Sequence, residues 1–413
     1  MQELTSDRQA SVWLLSDTHL IADSLHDDGS AFQRMKDTSA GKDLVYQELA
    51  LKAFVRKVVA AKPTAVVITG DLTFNGAKAS AEKLAEIFKP LTDQQIAFLV
   101  LPGNHDIYDG WARKFSGATE IRVDEISQEA WKEIFADSYQ VAYHQDSSSL
   151  AYSVNLNQDY RLIMADSNIY GDRYSLTHPI TNGRIPSAEL AWIENELKDA
   201  QRQQKHVLFF MHHNLYQHND VVHGGYVLDN AEEVQALFKK YQVQAVFSGH
   251  IHAPNITGPE KNCPSVEVAS SCFAMTDQGY GVISLTPSEL TYQHYSFDAM
   301  PCLTDEEKEK IPAADFRTYL RAVFNESNEK MLAKSVNRFA TPHDLQLAQQ
   351  LINRLHWNFF TGHSFYSAEQ KAEFFHSPGY QVLTTAMPEL KNYLQSLLDV
   401  DQDSQQVKIQ FND

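Results

Sequence analysis

An α/β fold with a largely parallel sheet, followed by an all-helical C-terminal segment, is the architecture this sequence predicts. Three observations carry the expectation. Continuous apolar runs of strand length alternate with longer stretches of helical spacing, five of those runs end directly in a short polar cluster, and beyond Met300 these strand-and-cluster units stop. Val12 to Leu15, Ala65 to Thr69, Ile96 to Leu101, Val207 to Met211 and Val243 to Phe247 are rich in β-branched and aromatic residues, as strands buried on both faces are. Between them, Leu44 to Ala61, Ala79 to Phe88, Ser187 to Gln201 and Ala231 to Tyr241 space their apolar residues as helices do. Alternation of the two implies right-handed crossovers, which bring the carboxyl ends of all parallel strands to one edge, where ligands bind.

At those five ends stand Asp17-Thr18-His19, Gly70-Asp71, Gly103-Asn104-His105-Asp106, His212-His213 and Gly249-His250-Ile251-His252. Two carboxylates, an amide and four imidazoles can therefore meet at one point, a donor set for two metal ions. Oxygen and imidazole donors suit Mn, Fe, Zn or Ni, and no thiolate is placed to select a soft metal. Asp71 is the natural bridge, since a carboxylate has lone pairs for both ions. Asp17, His19 and His252 complete one site; Asn104, His212 and His250 complete the other. Two divalent ions, two carboxylates and a bridging hydroxide sum to about +1, a field suited to a phosphodiester anion. At roughly 3.5–4 Å separation such a pair activates water and clamps an in-line displacement. A lone Asp or His at a strand end is usually a cap or a solvated loop residue, but seven in this order are not a coincidence of that kind. His213 is read as a hydrogen-bonding neighbour, because adjacent residues leaving a strand point in opposite directions.

The segments SDTHL, GDLTFNG, PGNHD, MHH and GHIH, in that order, resemble the calcineurin-like metallophosphoesterase family over roughly residues 10 to 297. The resemblance implies a four-layer αββα sandwich with a dinuclear centre (Mn, Fe or Zn, divalent or trivalent). It also implies that His105 is no ligand but sits over the scissile phosphate and assists the leaving oxygen. Asp106 would orient that imidazole, as outer-shell carboxylates do. Asn214 and Leu215 follow the His pair where relatives often carry Pro, so the local backbone path differs. Protein Ser/Thr phosphatases are argued against by the absence of Arg-Gly after the Asp motif, and purple acid phosphatases by Phe74, which stands where they carry Tyr. A formal charge of −18 with no dense basic stripe disfavours long nucleic acid. What remains is a small phosphoester, and the motifs are most similar to class III cyclic nucleotide phosphodiesterases.

The expected function is thus a dinuclear-metal phosphodiesterase, with a 3′,5′-cyclic nucleotide as leading substrate, a metal-bridging hydroxide as nucleophile and His105 on the leaving group. A broad phosphomonoesterase or nucleotidase is the alternative within enzymes, and a non-catalytic scaffold of the same fold the alternative outside them. Asn104, His105 and His223 are candidates for touching the phosphate. Phe32, Tyr108 and Tyr226 are candidate stacking surfaces for a base, although loop packing is the commoner role of such residues.

Residues 285 to 297 read as a final strand pattern closing the second sheet, which sets the domains at 1–297 (catalytic) and 298–413 (helical). Pro312 to Val336, Pro342 to Phe360 and Glu389 to Leu398 carry apolar stripes, and Thr341-Pro342 and Ser367 are helix-start signals. Packing is the commonest role for such an appendage; a lid or a homodimer contact is the sharper one. His343, His356, His363 and His376 lack metal spacing. The acidic, Gln-rich tail after Asp399 is expected to fray. Three cysteines without CxxC spacing argue against a disulfide framework or structural metal. No run has transmembrane length and no basic-then-apolar leader opens the chain, so a cytoplasmic protein is expected, export behind a removed leader being the other reading.

Overall fold

A computed structural model describes residues 3–411. Its strands in chain order are β1 (Ala10–Leu15), β2 (Ala65–Thr69) and β3 (Ala97–Leu101), then the hairpin β4 (Arg113–Ser116) and β5 (Thr119–Arg122). Next come β6 (His144–Gln145), β7 (Tyr152–Asn155), β8 (Tyr160–Met164), β9 (His206–Phe210), β10 (Ala245–Ser248), β11 (Asn255–Thr257) and β12 (Val266–Ala269). The last three are β13 (Tyr280–Thr286), β14 (Glu289–Tyr295) and β15 (Gln406–Gln410).

One sheet runs β15-β14-β13-β1-β2-β3, the other β11-β12-β10-β9-β8-β7-β6. β1, β2 and β3 are parallel, as are β8, β9, β10 and β12, while β13, β14 and β15 add antiparallel. The period of two explains the layering. In the second sheet Leu162, Met164, Leu208, Phe210 and Phe247 share one core with β1 to β3. Their neighbours Ile163, Phe209, Met211 and Val246 face outward, packing with Ile193 and Leu197 of the helix Ser187–Arg202 and with Phe238 of Ala231–Tyr241. The two sheets are stitched directly where Tyr152 Oη donates to Val100 O (2.9 Å). On the first sheet's side, the helix Gln47–Ala61 brings Phe54 against Trp13, Phe273 and Tyr280. The result is the four-layer αββα sandwich that the family resemblance implies.

Two expectations about the chain's end are corrected. β13 and β14 close the first sheet, not the second, with Ala10 opposite Leu285. The tail does not fray: β15 pairs with β14, Glu289 opposite Gln410, and Phe411 is buried with its ring 4.5 Å from that of His206. Val407, Ile409 and Phe411 supply the apolar alternation that the surrounding Gln and Asp residues obscure. The chain thus leaves the sandwich after β14, folds as helices, and returns to it.

Those helices include Phe316–Ala333, Pro342–Phe360, Ala368–His376 and Pro378–Ala386, packed round Leu332, Ile352, Leu355, Leu383 and Leu397. Thr341 and Ser367 form capping boxes with Asp344 and Gln370, as their start signals foretell. Among the described residues no helix is long and apolar enough to cross a membrane.

Candidate metal centre

All seven predicted ligands lie at the carboxyl edges of β1, β2, β3, β9 and β10, where the two sheets meet. Asp17, His19, Asp71 and His252 form one group whose donor atoms lie within 4.8 Å of one another, and Asp71, His212 and His250 form another. Asp71 is common to both. Asn104 joins the second group through Oδ1, 3.2 Å from His212 Nε2.

The backbone makes this convergence possible at a cost. Asp17, His19, Asp71, His250 and His252 all hold positive φ, between 41° and 69°, in the left-handed region that non-glycine residues avoid. Such conformations cost about 1 kcal/mol or more each and persist where surroundings over-determine them. Here the surroundings are cross-loop hydrogen bonds: Asp17 N to Gly70 O (3.0 Å), His19 N to Asp71 O (2.9 Å), and His250 N to Asp17 Oδ2 (3.2 Å). The glycines of the motifs are steric necessities. A Cβ on Gly103 would sit 2.1 Å from Asp71 N and 2.2 Å from Asp71 Oδ1; one on Gly70, itself at φ +91°, would sit 2.4 Å from His212 Nδ1.

Each of two imidazoles has its outer nitrogen committed, which leaves the inner one to bind. His212 Nδ1 donates to Thr69 O (2.8 Å), turning Nε2 towards Asp71; His250 Nε2 donates to Thr181 O (3.0 Å) and Gly225 O (3.2 Å), leaving Nδ1. His213 turns away to Ser167 Oγ (2.8 Å) and Thr181 O (3.0 Å), the neighbour's role expected of it. In the first group His19 Nε2 and His252 Nε2 are 3.1 Å apart, and Asp17 Oδ1 is 3.2 Å from His252 Nε2, yet Asp17 Oδ1 is buried without a hydrogen bond. A buried orphaned carboxylate oxygen beside two imidazole nitrogens fits a cation. The electrostatics differ from ligand to ligand, with the Asp71 carboxylate acting most strongly on His212. Burial alone would lower the His212 imidazole, but Asp71 lifts it to about 9. Burial holds His19 and His250 well below the ordinary histidine range, as neutral ligands should be.

His105 sits on the open side of the centre. Its side chain and that of His252 are each 22% exposed, whereas Asp17, His19, Asp71 and His212 are sealed, so the centre opens to solvent beside His105. His105 N donates to Asp71 Oδ1 (2.9 Å), and its ring is 5.4 Å from that of His19. The expectation that Asp106 orients it is corrected. Asp106 is consumed by the backbone, accepting from Leu72 N (3.1 Å), Thr73 N (2.9 Å), Gly103 N (2.8 Å) and Thr73 Oγ1 (2.9 Å). Asp109, four residues after His105, faces the imidazole instead, with Oδ2 3.5 Å from His105 Nδ1 and neither atom bonded elsewhere. Burial lowers the His105 imidazole, but Asp71 and Asp109 outweigh it and hold it above its ordinary value.

Further placements differ from expectation. Phe32 is buried against His26 (4.0 Å) and Phe115 (5.7 Å), filling a small core under β4 and β5, so it offers no base-stacking face. Tyr108 packs edge-on to Tyr174 (5.6 Å). Tyr226 does reach the centre, its ring 4.9 Å from that of His250. His223 is exposed and contributes its carbonyl to the turn that presents Gly225. Leu215 N and Tyr216 N both donate to the buried Glu267 (2.8 Å each), a path a proline at either position would forfeit. A thiol that the spacing of the motifs does not reveal also lies nearby: Cys272 Sγ is within 4.8 Å of donor nitrogens of His19 and His252. Asp109 and Cys272 carry no motif, and no sequence signal marks them beyond residue type.

Comparison with known proteins places this geometry. A probable glycerophosphodiester phosphodiesterase GpdQ of Arcobacter nitrofigilis is 27% identical over 203 residues, 48% of this chain and 59% of that protein. A probable cyclic nucleotide phosphodiesterase of Ruthia magnifica is 25% identical over 203 residues, 49% of this chain and 68% of that protein. Among solved structures, a dimetal phosphatase from Danio rerio superposes with a TM-score of 0.49 at 13% identity, covering 69% of this chain and 95% of that one. Residues 303–405 match the C-terminal domain of cyclic nucleotide phosphodiesterase. Residues 10–254, more than half of the chain, match the calcineurin-like phosphoesterases, and it is to that family of metal-dependent hydrolases that the chain belongs.

Proposed function

We propose that this protein is a dinuclear-metal phosphodiesterase acting on a small diester, a 3′,5′-cyclic nucleotide first among them. The observation that carries the reading is the sharing of Asp71 between two donor groups. Asp17, His19 and His252 would hold one ion, Asn104, His212 and His250 the other, with Asp71 across both. Bound there, the pair would make water nucleophilic at neutral pH and neutralise charge on the phosphoryl oxygens.

The chain's own residues do the rest. His105, with Nδ1 towards Asp109, presents Nε2 to the leaving oxygen and protonates it as the ester bond breaks. The partial exposure of His105 and His252 sets the approach of the phosphate. Tyr226 flanks His250 and bounds that opening. His223, though exposed, remains a candidate phosphate contact because it stands in the same loop. The cyclic substrate is favoured by the description that residues 303–405 match and by the names of two relatives. We take residues 1–297 together with the returning strand β15 as the catalytic unit, and the helices between them as an appendage that braces it. A scaffold role is disfavoured because all seven donors and His105 are present in mutually consistent geometry.

Rates on cyclic AMP, AMP and bis-p-nitrophenyl phosphate test the substrate class. The diesters should turn over and AMP should not; preference for AMP would reverse the reading in favour of a monoesterase. His105→Ala should keep its metal and lose about 10²-fold or more in rate.

A further inference from the structure

Cys272 stands against one half of the centre only. Its Sγ, with donor nitrogens of His19 and His252, forms a third potential metal group within 4.8 Å, while among the described residues no such group joins a cysteine to Asp71, His212 and His250. The residue is fully buried, and its thiol makes one hydrogen bond, to Asp17 O at 3.2 Å. Its segment is pinned to the ligand loops by Cys272 N to His252 O (3.1 Å), Phe273 N to Ser16 O (3.0 Å) and Ala274 N to Asp17 O (3.2 Å). The sulfur therefore cannot be carried away from the two imidazoles without moving the loops that bear them. Phe324 and Trp357 of the C-terminal helices belong to the same buried apolar cluster as Cys272.

Packing alone would be served by Ala or Val. A buried group in the same cluster points to an ion instead: Asp17 Oδ1, 3.2 Å from His252 Nε2, has no hydrogen-bond partner. Oxygen and imidazole donors leave the choice among first-row divalent ions open, whereas a sulfur donor does not.

The geometry points to Cys272 as a sulfur ligand for the Asp17–His19–His252 half of the centre, biasing that half towards thiophilic ions such as Zn²⁺ or Cd²⁺ over Mn²⁺. The inference rests on the dinuclear reading above and adds a donor to it. Binding exchanges the Sγ–H bond for a sulfur–metal bond, and the proton leaves to solvent. The two halves then differ in hardness, and a mixed-metal centre follows from the ligands themselves.

Co²⁺ is the probe. Wild-type protein loaded with two equivalents should show a sulfur-to-cobalt charge-transfer band in the near ultraviolet, and Cys272→Ser, which keeps the hydroxyl's contact with Asp17 O, should bind two equivalents without it. In competition, the preference for Cd²⁺ over Mn²⁺ should fall by about tenfold or more in Cys272→Ser. Peptide-mapped alkylation after denaturant pulses gives a second readout: metal should protect Cys272, with Cys263 and Cys302 as internal references. Two bound equivalents with no band, no change in selectivity and no protection would overturn the role of Cys272 while leaving the dinuclear centre standing. Fewer than two equivalents in the wild type would instead sink the dinuclear reading and this inference with it.

Discussion

Replacing Asp109 by Asn removes the charge facing His105 while keeping size and the acceptor for Trp111 N (2.8 Å). At 3.5 Å, and with an effective dielectric near 20, a carboxylate–imidazolium pair is worth about 5 kcal/mol gross. Desolvation of a sealed Asp109 takes back much of that. A net of about 1.5–3 kcal/mol, the worth of a hydrogen bond to a charged group, corresponds to roughly 10- to 100-fold in rate. The loss should appear only where the leaving oxygen needs a proton. The assay is kcat and kcat/KM over a series of diesters from alkoxide to p-nitrophenolate leaving groups. Asp109→Asn should fall by the full factor on alkoxides and stay within about threefold on p-nitrophenolate. A uniform loss across the series, or none, would refute the assignment of Asp109 as the residue positioning His105. Asp106→Asn is the contrast: it disturbs four hydrogen bonds in the loop and should lower thermal stability without a leaving-group trend.

Three further outcomes follow from the same structure. Gly103→Ala pushes a methyl into Asp71 and should abolish tight binding of both metal equivalents, read by equilibrium dialysis; retention of both would contradict the packing described. The hydrogen bond from Arg56 holds the Glu307 carboxyl down at about 2, below its ordinary 4.5, so its stabilisation is present above pH 4.5 and lost as pH falls towards 2. Glu307→Gln should therefore cost about 1 kcal/mol at pH 7, allowing for screening at the partly exposed Arg56, with the difference from wild type closing over that window in urea unfolding. Phe411→Ala, just past the returning strand, should cost about 3 kcal/mol in the same assay; a neutral effect would mean that the packing of this ring on Tyr160 and His206 does not hold the returning segment.

The sandwich was legible in the sequence because its strands are short apolar runs buried on both faces, and because Asp17, Asp71, Asn104, His212 and His250 stand directly behind them. Donor identity follows from residue type and position at a strand end, which are local properties. What stayed hidden depends on the path of loops. Asp109 outcompetes Asp106 for His105 because the tight turn after Gly103 folds the nearer carboxylate back onto Leu72 and Thr73, which residue order alone does not disclose. Cys272 reaches His19 and His252 only through the pairing of residues 272–274 with the loops after β1 and β10. β15 escaped notice because its apolar positions alternate with Gln and Lys in a tail that composition marks as solvated. Phe32 is hidden in the same way, because the β4–β5 hairpin, through Phe115, folds over a ring that its loop composition places at the surface.

The shared carboxylate is the point at which everything meets, and Asp71→Asn interrogates it. Native mass spectrometry with metal titration should find two cooperative equivalents in the wild type, and in Asp71→Asn the loss of cooperativity and a weakening of both sites together, with hydrolysis gone. Two equivalents bound by Asp71→Asn with wild-type affinity, or a wild type that never takes up more than one, would contradict the account.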